Sequence, residues 1–272
     1  MRIPTFLKWA GGKRRVIADL EELFPPKINR YFEPFLGGGS IFFFIKQKYN
    51  PEFCMLSDIN KDLIETYKAV RDKSKELIIF LDYFKKKNSE KFYYNIREKF
   101  NKNEIKGLKR CAAFIYLNKT CFNGLYRVNS KNKFNVPYGK YKNPEIYNKN
   151  NIILASQLLK GVKIKHQDYR KILTYIKRKD FIYLDPCYDP IKRTSFTNYT
   201  PKRFCEEDRI ELLRFISLLN KKGAYICLSN NNLPEIRNLY SGFNIKKILV
   251  SRSINSNSKG RGGVTELVIS NY

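Results

Sequence analysis

The sequence predicts an α/β protein built on an open sheet. Short apolar runs that read as strands alternate with segments whose apolar positions recur at helical spacing. Three of the strand-like runs end on glycine or aspartate, and one long helical block interrupts the alternation near the middle of the chain. In such sheets ligands bind outside the carboxyl ends of the strands, so the residues at those ends are the first candidates for a site.

Each element follows from its local pattern. Phe6-Leu7-Lys8-Trp9-Ala10-Gly11-Gly12-Lys13 sets the only Trp beside glycines and lysines, and its residues alone do not choose between a buried strand and a functional segment. Arg30–Leu36 reads as a short buried strand running into Gly37-Gly38-Gly39-Ser40, and Ile41–Tyr49 as a helix. Phe53–Ser57 is a second strand, ending at Asp58. From Lys61 to Leu117 the positions Leu63, Ile64, Tyr67 and Val70, then Leu77, Phe80, Leu81 and Phe84, then Ala112, Ile115 and Tyr116 repeat at helical spacing between charged faces. This is a helical insert, and changes of character near Asn60 and Asn148 divide the chain into 1–60, 61–148 and 149–272. Short strands return after Gly161. Phe181–Leu184 runs directly into Asp185-Pro186-Cys187-Tyr188, with Ala224–Leu228 and Phe243–Val250 to follow and an amphipathic helix at Asp208–Leu219. Val264–Ser270 closes the sheet as an antiparallel partner.

Composition bounds the function. The 272 residues carry 53 Lys and Arg against 25 Asp and Glu, a formal charge of +28, with 43% hydrophobic and 15% aromatic residues. That apolar content excludes a disordered basic tail. No run approaches the ~18 apolar residues of a membrane span, and Lys8 interrupts the start where a signal peptide needs an apolar core, so a cytoplasmic, nucleoid-associated protein is expected. The six cysteines lie far apart without a C-x-x-C pair and His166 is the only histidine, so zinc spacing is missing. Reduced thiols and no metal are expected. The basic excess reads as a footprint for a polyanion, nucleic acid before an anionic membrane, because no basic amphipathic helix stands out.

Three strand ends carry chemistry. In Glu33-Pro34-Phe35-Leu36-Gly37-Gly38-Gly39-Ser40, small residues sit where a strand turns into a helix, letting backbone approach a ligand that a Cβ would exclude. Asp58, at the end of the next strand, suits the two hydroxyls of a ribose. A tight structural turn or a dinucleotide site are the alternatives, although Phe42 replaces the last glycine of G-x-G-x-x-G and no G-K-[ST] follows. Asp185-Pro186-Cys187-Tyr188 combines an acceptor, a rigid turn and an aromatic face. The amine of adenine is a poor nucleophile because its lone pair is delocalised, and two acceptors, Asp185 and the Pro186 carbonyl, would favour the geometry that frees that pair. Tyr188 would stack on an extruded base. A plain Asp-Pro turn is the alternative. Cys187 reads as a small packed residue rather than a nucleophile, since no Glu-Asn-Val motif and no cationic neighbour in sequence support a thiolate.

The segment 119–143 contains Arg127, five lysines, five aromatics and no acid. Alternation around Leu125–Asn129 and Phe134–Tyr138, with a polar turn between, reads as a two-stranded ribbon able to enter a major groove. Arg127 suits guanine, Asn123 adenine or a phosphate, and Leu125 or Pro137 a thymine methyl. A solvated hairpin is the alternative.

Taken in order, Phe6–Lys13, Phe32–Ser40, Leu56–Asn60, the ribbon and Leu184–Tyr188 resemble the Dam-type (class alpha, D12) DNA adenine methyltransferases, over nearly the whole chain. The tail Ser251-Arg252-Ser253-Ile254-Asn255-Ser256-Asn257 is similar to that family's mobile loop. The resemblance implies a Rossmann-like S-adenosylmethionine-dependent methyltransferase sheet with an inserted helical target-recognition domain carrying a β-hairpin. It implies S-adenosylmethionine as cofactor, double-stranded DNA as partner and a possible companion restriction endonuclease, while the oligomeric state stays open, a monomer being favoured. Carried over residue by residue, Trp9, Lys13, Glu33, Phe35 and Gly37 contact the cofactor, Asp58 its ribose, Asp185 its methionine end, and Asp168 and Tyr169 its adenine. Asp185, Pro186 and Tyr188 are the catalytic set. Phe122-Asn123-Gly124-Leu125 with Arg127, and Phe134-Asn135-Val136-Pro137, resemble the members that read GATC. There Phe122 wedges beside the flipped base, Lys8 contacts the first guanine and Arg127 the guanine at the other end. The sequence departs from the family at Cys187, where the tetrad usually has a second proline, and at Lys140, where many relatives have Arg. Lys is a point charge, so a phosphate contact survives there better than a base contact.

Overall fold

The computed structural model describes residues 1–9, 11–186, 206–251 and 263–272. A short helix α1 (Ile17–Glu21) precedes strand β1 (Arg30–Glu33), helix α2 (Ser40–Lys48) and strand β2 (Phe53–Asp58). Five helices follow: α3 (Lys61–Asp72), α4 (Ser74–Lys87), α5 (Glu90–Asn101), α6 (Gly107–Thr120) and α7 (Lys149–Leu159). The sheet resumes with β3 (Lys163–His166) and β4 (Phe181–Leu184), then α8 (Glu206–Lys221), β5 (Tyr225–Asn231), α9 (Pro234–Leu239), β6 (Asn244–Ser251) and β7 (Gly263–Ser270). Among the described residues no helix is long and apolar enough to cross a membrane.

The strand order is β3-β2-β1-β4-β5-β7-β6. β1 pairs in parallel with both β2 and β4, while β7 runs antiparallel between β5 and β6. Successive crossovers therefore leave β1 in opposite directions, and a crevice opens where β1 and β4 part at their carboxyl ends. This open sheet with one antiparallel strand agrees with the sheet that the resemblance implies. One face is covered by α2 and by the apolar stripes of α3 to α7, forming a single core that runs from Tyr31 and Leu56 through Tyr67, Leu81 and Phe114 out to Phe134. The other face buries Phe32, Ile182 and Leu228 against Leu212, Phe215 and Leu219 of α8.

The two sequence breaks are helix starts. The Asn60 side chain accepts from Leu63 N (3.0 Å) and that of Asn148 from Asn151 N (3.1 Å), each satisfying one orphan donor of its helix. Helix α7 was not anticipated from the sequence. β1 ends at Glu33 instead of Leu36 because Pro34 has no N–H to continue the ladder. The expected ribbon is also thinner than its alternation suggests. Only the bridges Val128–Phe134 and Cys121–Tyr138 form, because the turn 122–124 bends the first arm away after Cys121. Four cysteines, Cys54, Cys111, Cys121 and Cys227, are buried free thiols.

Candidate active site

Glu33 ends β1 and Asp185 follows β4, so the crevice is flanked by two carboxyls. Lys13, only 3% exposed, enters between the strand ends from the N-terminal turn. Its Nζ lies 2.8 Å from Asp185 Oδ1 and 3.7 Å from Glu266 Oε2 of β7, and donates to Gly11 O (3.1 Å). Pro186 is buried beside Asp185. Glu33 accepts from Tyr31 Oη (2.7 Å). Burial, with Asp185 and Asp58 nearby, pushes its carboxyl up to about 8 against the lowering effect of the Tyr31 hydroxyl and the Phe42 amide.

The glycine turn does not stand open in the way its composition suggests. A Cβ on Gly37 would meet the Trp9 indole at 2.9 Å, one on Gly38 would meet Trp9 Cβ at 3.2 Å, and one on Gly39 would meet Tyr67 Oη at 2.6 Å. Small residues are required here because two aromatic side chains lie against the turn, and because Gly37 and Gly39 take φ of 46° and 64°. Tyr67 Oη also donates to Gly37 O (3.1 Å). Asp58 holds the same turn: Oδ2 accepts from Gly37 N (3.1 Å) and Oδ1 from Asn60 N (2.9 Å). Burial raises the Asp58 carboxyl, opposed by those amides and by His166. Each carboxylate oxygen has a second lone pair, so these bonds leave acceptor capacity for a ribose.

On the neighbouring side Phe35 stacks on Tyr169 (5.1 Å, 30°), whose edge meets Phe215. Asp168 caps the turn after β3, accepting from Arg170 N (2.9 Å) and Nε (2.7 Å). Partial burial raises its carboxyl, but the Arg170 donors outweigh it and hold it below the usual range. Arg170 bridges onward to Glu211 (2.8 Å).

The segment from Lys119 to Lys140 is tied to this crevice by one buried side chain. Asn118 accepts from Lys8 N (2.8 Å) and donates to Lys8 O (2.7 Å) and Gly124 O (3.3 Å). Trp9 stacks on Tyr126 (5.5 Å, 18°). Phe122 is 49% exposed, Asn123 has φ of 55°, and Phe122 N donates to Pro137 O (2.9 Å). Leu125 is half-buried, while Pro137 and Lys140 are exposed. Arg127 Nε donates to Asn135 Oδ1 (2.8 Å). Lys8 Nζ sits over the Tyr141 ring (4.7 Å). Lys119 is buried at the end of α6, and burial together with Lys8 lowers its ammonium to about 8.

The structure thus brings Lys13 to Asp185, Asp58 to Gly37, Trp9 to Gly37 and Phe35 to Tyr169. It turns Asp168 toward Arg170. Tyr188, Cys187 and residues 252–257 lie outside the described residues. Sequence reasoning gave no individual role to Glu266, Asn118, Tyr126 and Asn135. A signal was present for the first two: an acid in the apolar closing strand, and an amide directly after the apolar run Cys111–Leu117. Asp185 and Glu266 flank Lys13, and Glu33 lies near both Asp185 and Asp58, so acids cluster here in a chain of net charge +28. That donor set fits a ligand bearing a sulfonium and an ammonium, and the Phe35–Tyr169 stack offers an aromatic wall for its base.

The sequence profile of D12 class N6 adenine-specific DNA methyltransferases matches residues 9–254. The chain is 45% identical to Type II methyltransferase M.MjaIII of Methanocaldococcus jannaschii, over 100% of both proteins. It is 39% identical to Type II methyltransferase M1.LlaDCHI of Lactococcus lactis subsp. cremoris, over 100% of this chain and 96% of that protein. It is 31% identical to DNA adenine methylase of Escherichia coli K12, over 97% and 94%. With a matching profile across most of its length and relatives this similar end to end, the chain belongs to the D12 class of N6 adenine-specific DNA methyltransferases.

Proposed function

We propose that this DNA adenine methyltransferase modifies the adenine of GATC in duplex DNA, after the base has been turned out of the helix. Residues 61–148, joined by Lys8, read the target; the rest of 1–60 and 149–272 hold the cofactor and carry out the transfer. S-adenosylmethionine, when bound, supplies a methyl on a sulfonium that is already electrophilic. Trp9, Glu33, Gly37 and Asp58 line its methionine and ribose side, and Phe35, Asp168 and Tyr169 its adenine side.

The observation that carries this reading is the Asp185–Lys13 pair at the β1/β4 crevice, joined through Trp9 and Tyr126 to the basic segment. Lys13 holds one Asp185 oxygen, so the carboxylate has one orientation. The second oxygen and the Pro186 carbonyl accept the two hydrogens of the target amine, and Tyr188 stacks on the base. Asp185 and the Pro186 carbonyl would hold the amine in line with the electrophilic methyl that the bound cofactor supplies, and the proton the amine sheds would pass by way of Asp185 to solvent. No covalent enzyme intermediate is needed, and alignment with water exclusion supplies the rate.

Lys8 and Arg127 suit the two guanines, Asn123, Leu125 and Pro137 the inner base pairs, Phe122 the space left by the flipped base, and Lys140 a phosphate. Two relatives bear the name Type II methyltransferase, which supports a place beside a restriction endonuclease of the same target. Labelled S-adenosylmethionine with unmethylated plasmid, followed by nucleoside analysis and site mapping, tests the whole reading. Methyladenine confined to GATC is the expected result; methyladenine at another sequence would overturn the target assignment.

A further inference from the structure

Arg127 and Asn135 face each other across the turn 129–133. Arg127 Nε donates to Asn135 Oδ1 (2.8 Å), its Nη2 reaches Asn135 O (3.5 Å), and Asn135 N donates to Arg127 O (3.1 Å). Bidentate recognition of a base edge demands a guanidinium held in one plane. A bond to Nε fixes that plane, because Nε lies in it and anchors the side closest to the chain. Asn135 is itself fixed from behind. Its neighbours Phe134 and Val136 point into the core, as alternation requires, and their backbone groups are held by α5. Asn101 Oδ1 accepts from Phe134 N (2.8 Å) and Asn101 Nδ2 donates to Phe134 O (2.9 Å). Tyr93 Oη and Arg97 Nη1 both donate to Val136 O (2.9 Å each). Tyr93, Arg97 and Asn101 recur every four residues, one stripe of the helix bonded along one arm of the turn.

We propose that Asn135 is a positioning residue for target discrimination: it locks the plane of the Arg127 guanidinium, and the α5 stripe holds Asn135 in the register that makes this possible. A helix that touches no base would in this way set the fidelity of one that is read. The proposal rests on the reading of Arg127 as a base contact.

The test is kcat/KM on a GATC duplex and on duplexes singly substituted at each base pair, for Arg127→Ala, Asn135→Ala, the double variant and Asn135→Asp. Arg127→Ala is expected to lose discrimination at one base pair. Asn135→Ala is expected to lose ~5–10-fold at that same pair, through KM on the cognate duplex, with the other pairs unaffected. The double variant should then fall within ~2-fold of Arg127→Ala, since the two side chains act as one unit. Asn135→Asp keeps the acceptor and should retain the ratio while raising KM on every duplex. An Asn135→Ala variant that keeps full discrimination, loses activity equally on all duplexes, or multiplies with Arg127→Ala would overturn the proposal. So would loss of the ratio in Asn135→Asp. Failure of Asn135→Ala alone leaves Arg127 as the reader; an Arg127→Ala variant discriminating at every pair removes that reading and this proposal together.

Discussion

Replacing Glu33 by Gln probes the buried acid at the crevice. The carboxyl is pushed from its ordinary 4.5 to about 8, chiefly by burial. Between those values the folded protein keeps a proton that the unfolded chain has released, so stability falls as pH rises through the window. The slope is about 1.4 kcal/mol per pH unit, reaching about 5 kcal/mol across the window at most. The contribution is fully present below pH 4.5 and fully lost above about 8. Gln reproduces the neutral acid, with an oxygen to accept from Tyr31 Oη, and carries no charge at any pH. Urea unfolding of both proteins at pH 5, 6, 7 and 8 isolates the residue, because other titrating groups cancel in the difference. Glu33→Gln should gain on the parent steadily, from near parity at pH 5 to ~2–5 kcal/mol at pH 8. A pH-independent difference, or a variant that loses ground as pH rises, would refute the placement of an uncompensated carboxyl there.

Four further substitutions follow from the same geometry. Asp185→Ala should bind duplex DNA in a mobility-shift titration and show no methyl transfer; retained turnover would remove Asp185 from the chemistry. Gly39→Ala combines a φ of 64° with a Cβ 2.6 Å from Tyr67 Oη and should cost ~2–4 kcal/mol in urea unfolding. Gly38→Ala, whose Cβ would lie 3.2 Å from Trp9 Cβ, should cost less, and equal losses would contradict the packing described. Lys119 loses its proton near 8 when folded and near 10.5 when unfolded, so its burden on stability is full below pH 8 and lifts as pH climbs toward 10.5. Lys119→Met should therefore be more stable than the parent by ~1–3 kcal/mol at pH 7, with the gap narrowing at pH 10. A less stable variant at pH 7 would count against a charged, buried Lys119.

The sheet was legible because its strands are short apolar runs with distinct ends, and Asp58 and Asp185 stand at those ends for that reason. The changes of character near Asn60 and Asn148 fall where two helices start, each capped by the Asn side chain. Helix α7 escaped because its polar first turn, Lys149-Asn150-Asn151, hides the period that Ile152, Ala155 and Leu159 complete. The ribbon was overdrawn because alternation counts side chains, whereas pairing depends on where the backbone turns; the positive φ values at Asn123 and Gly124 take that arm out of register. The partners of site residues were the least visible part. Nothing in Lys13 announces Asp185, 172 residues away, or Glu266 on the far strand. Nor does the glycine run announce that Trp9 and Tyr67 are what it makes room for.

With residues 61–148 as the proposed reading unit, the core shared by the sheet and helices α3 to α7 would govern how a new target can be acquired. A reading unit with its own interior can be exchanged as a block, and the recipient inherits the donor's preference intact. Here residues 61–148 would carry half an interior away and leave the other half uncovered, so a block exchange would have to be matched residue by residue beneath the sheet. Change is cheap only at the rim, on exposed positions such as Phe122, Pro137 and Lys140. A lineage with this architecture is expected to diversify its target through substitutions in the turns, one base pair at a time, while the buried stripe of its helices stays constant.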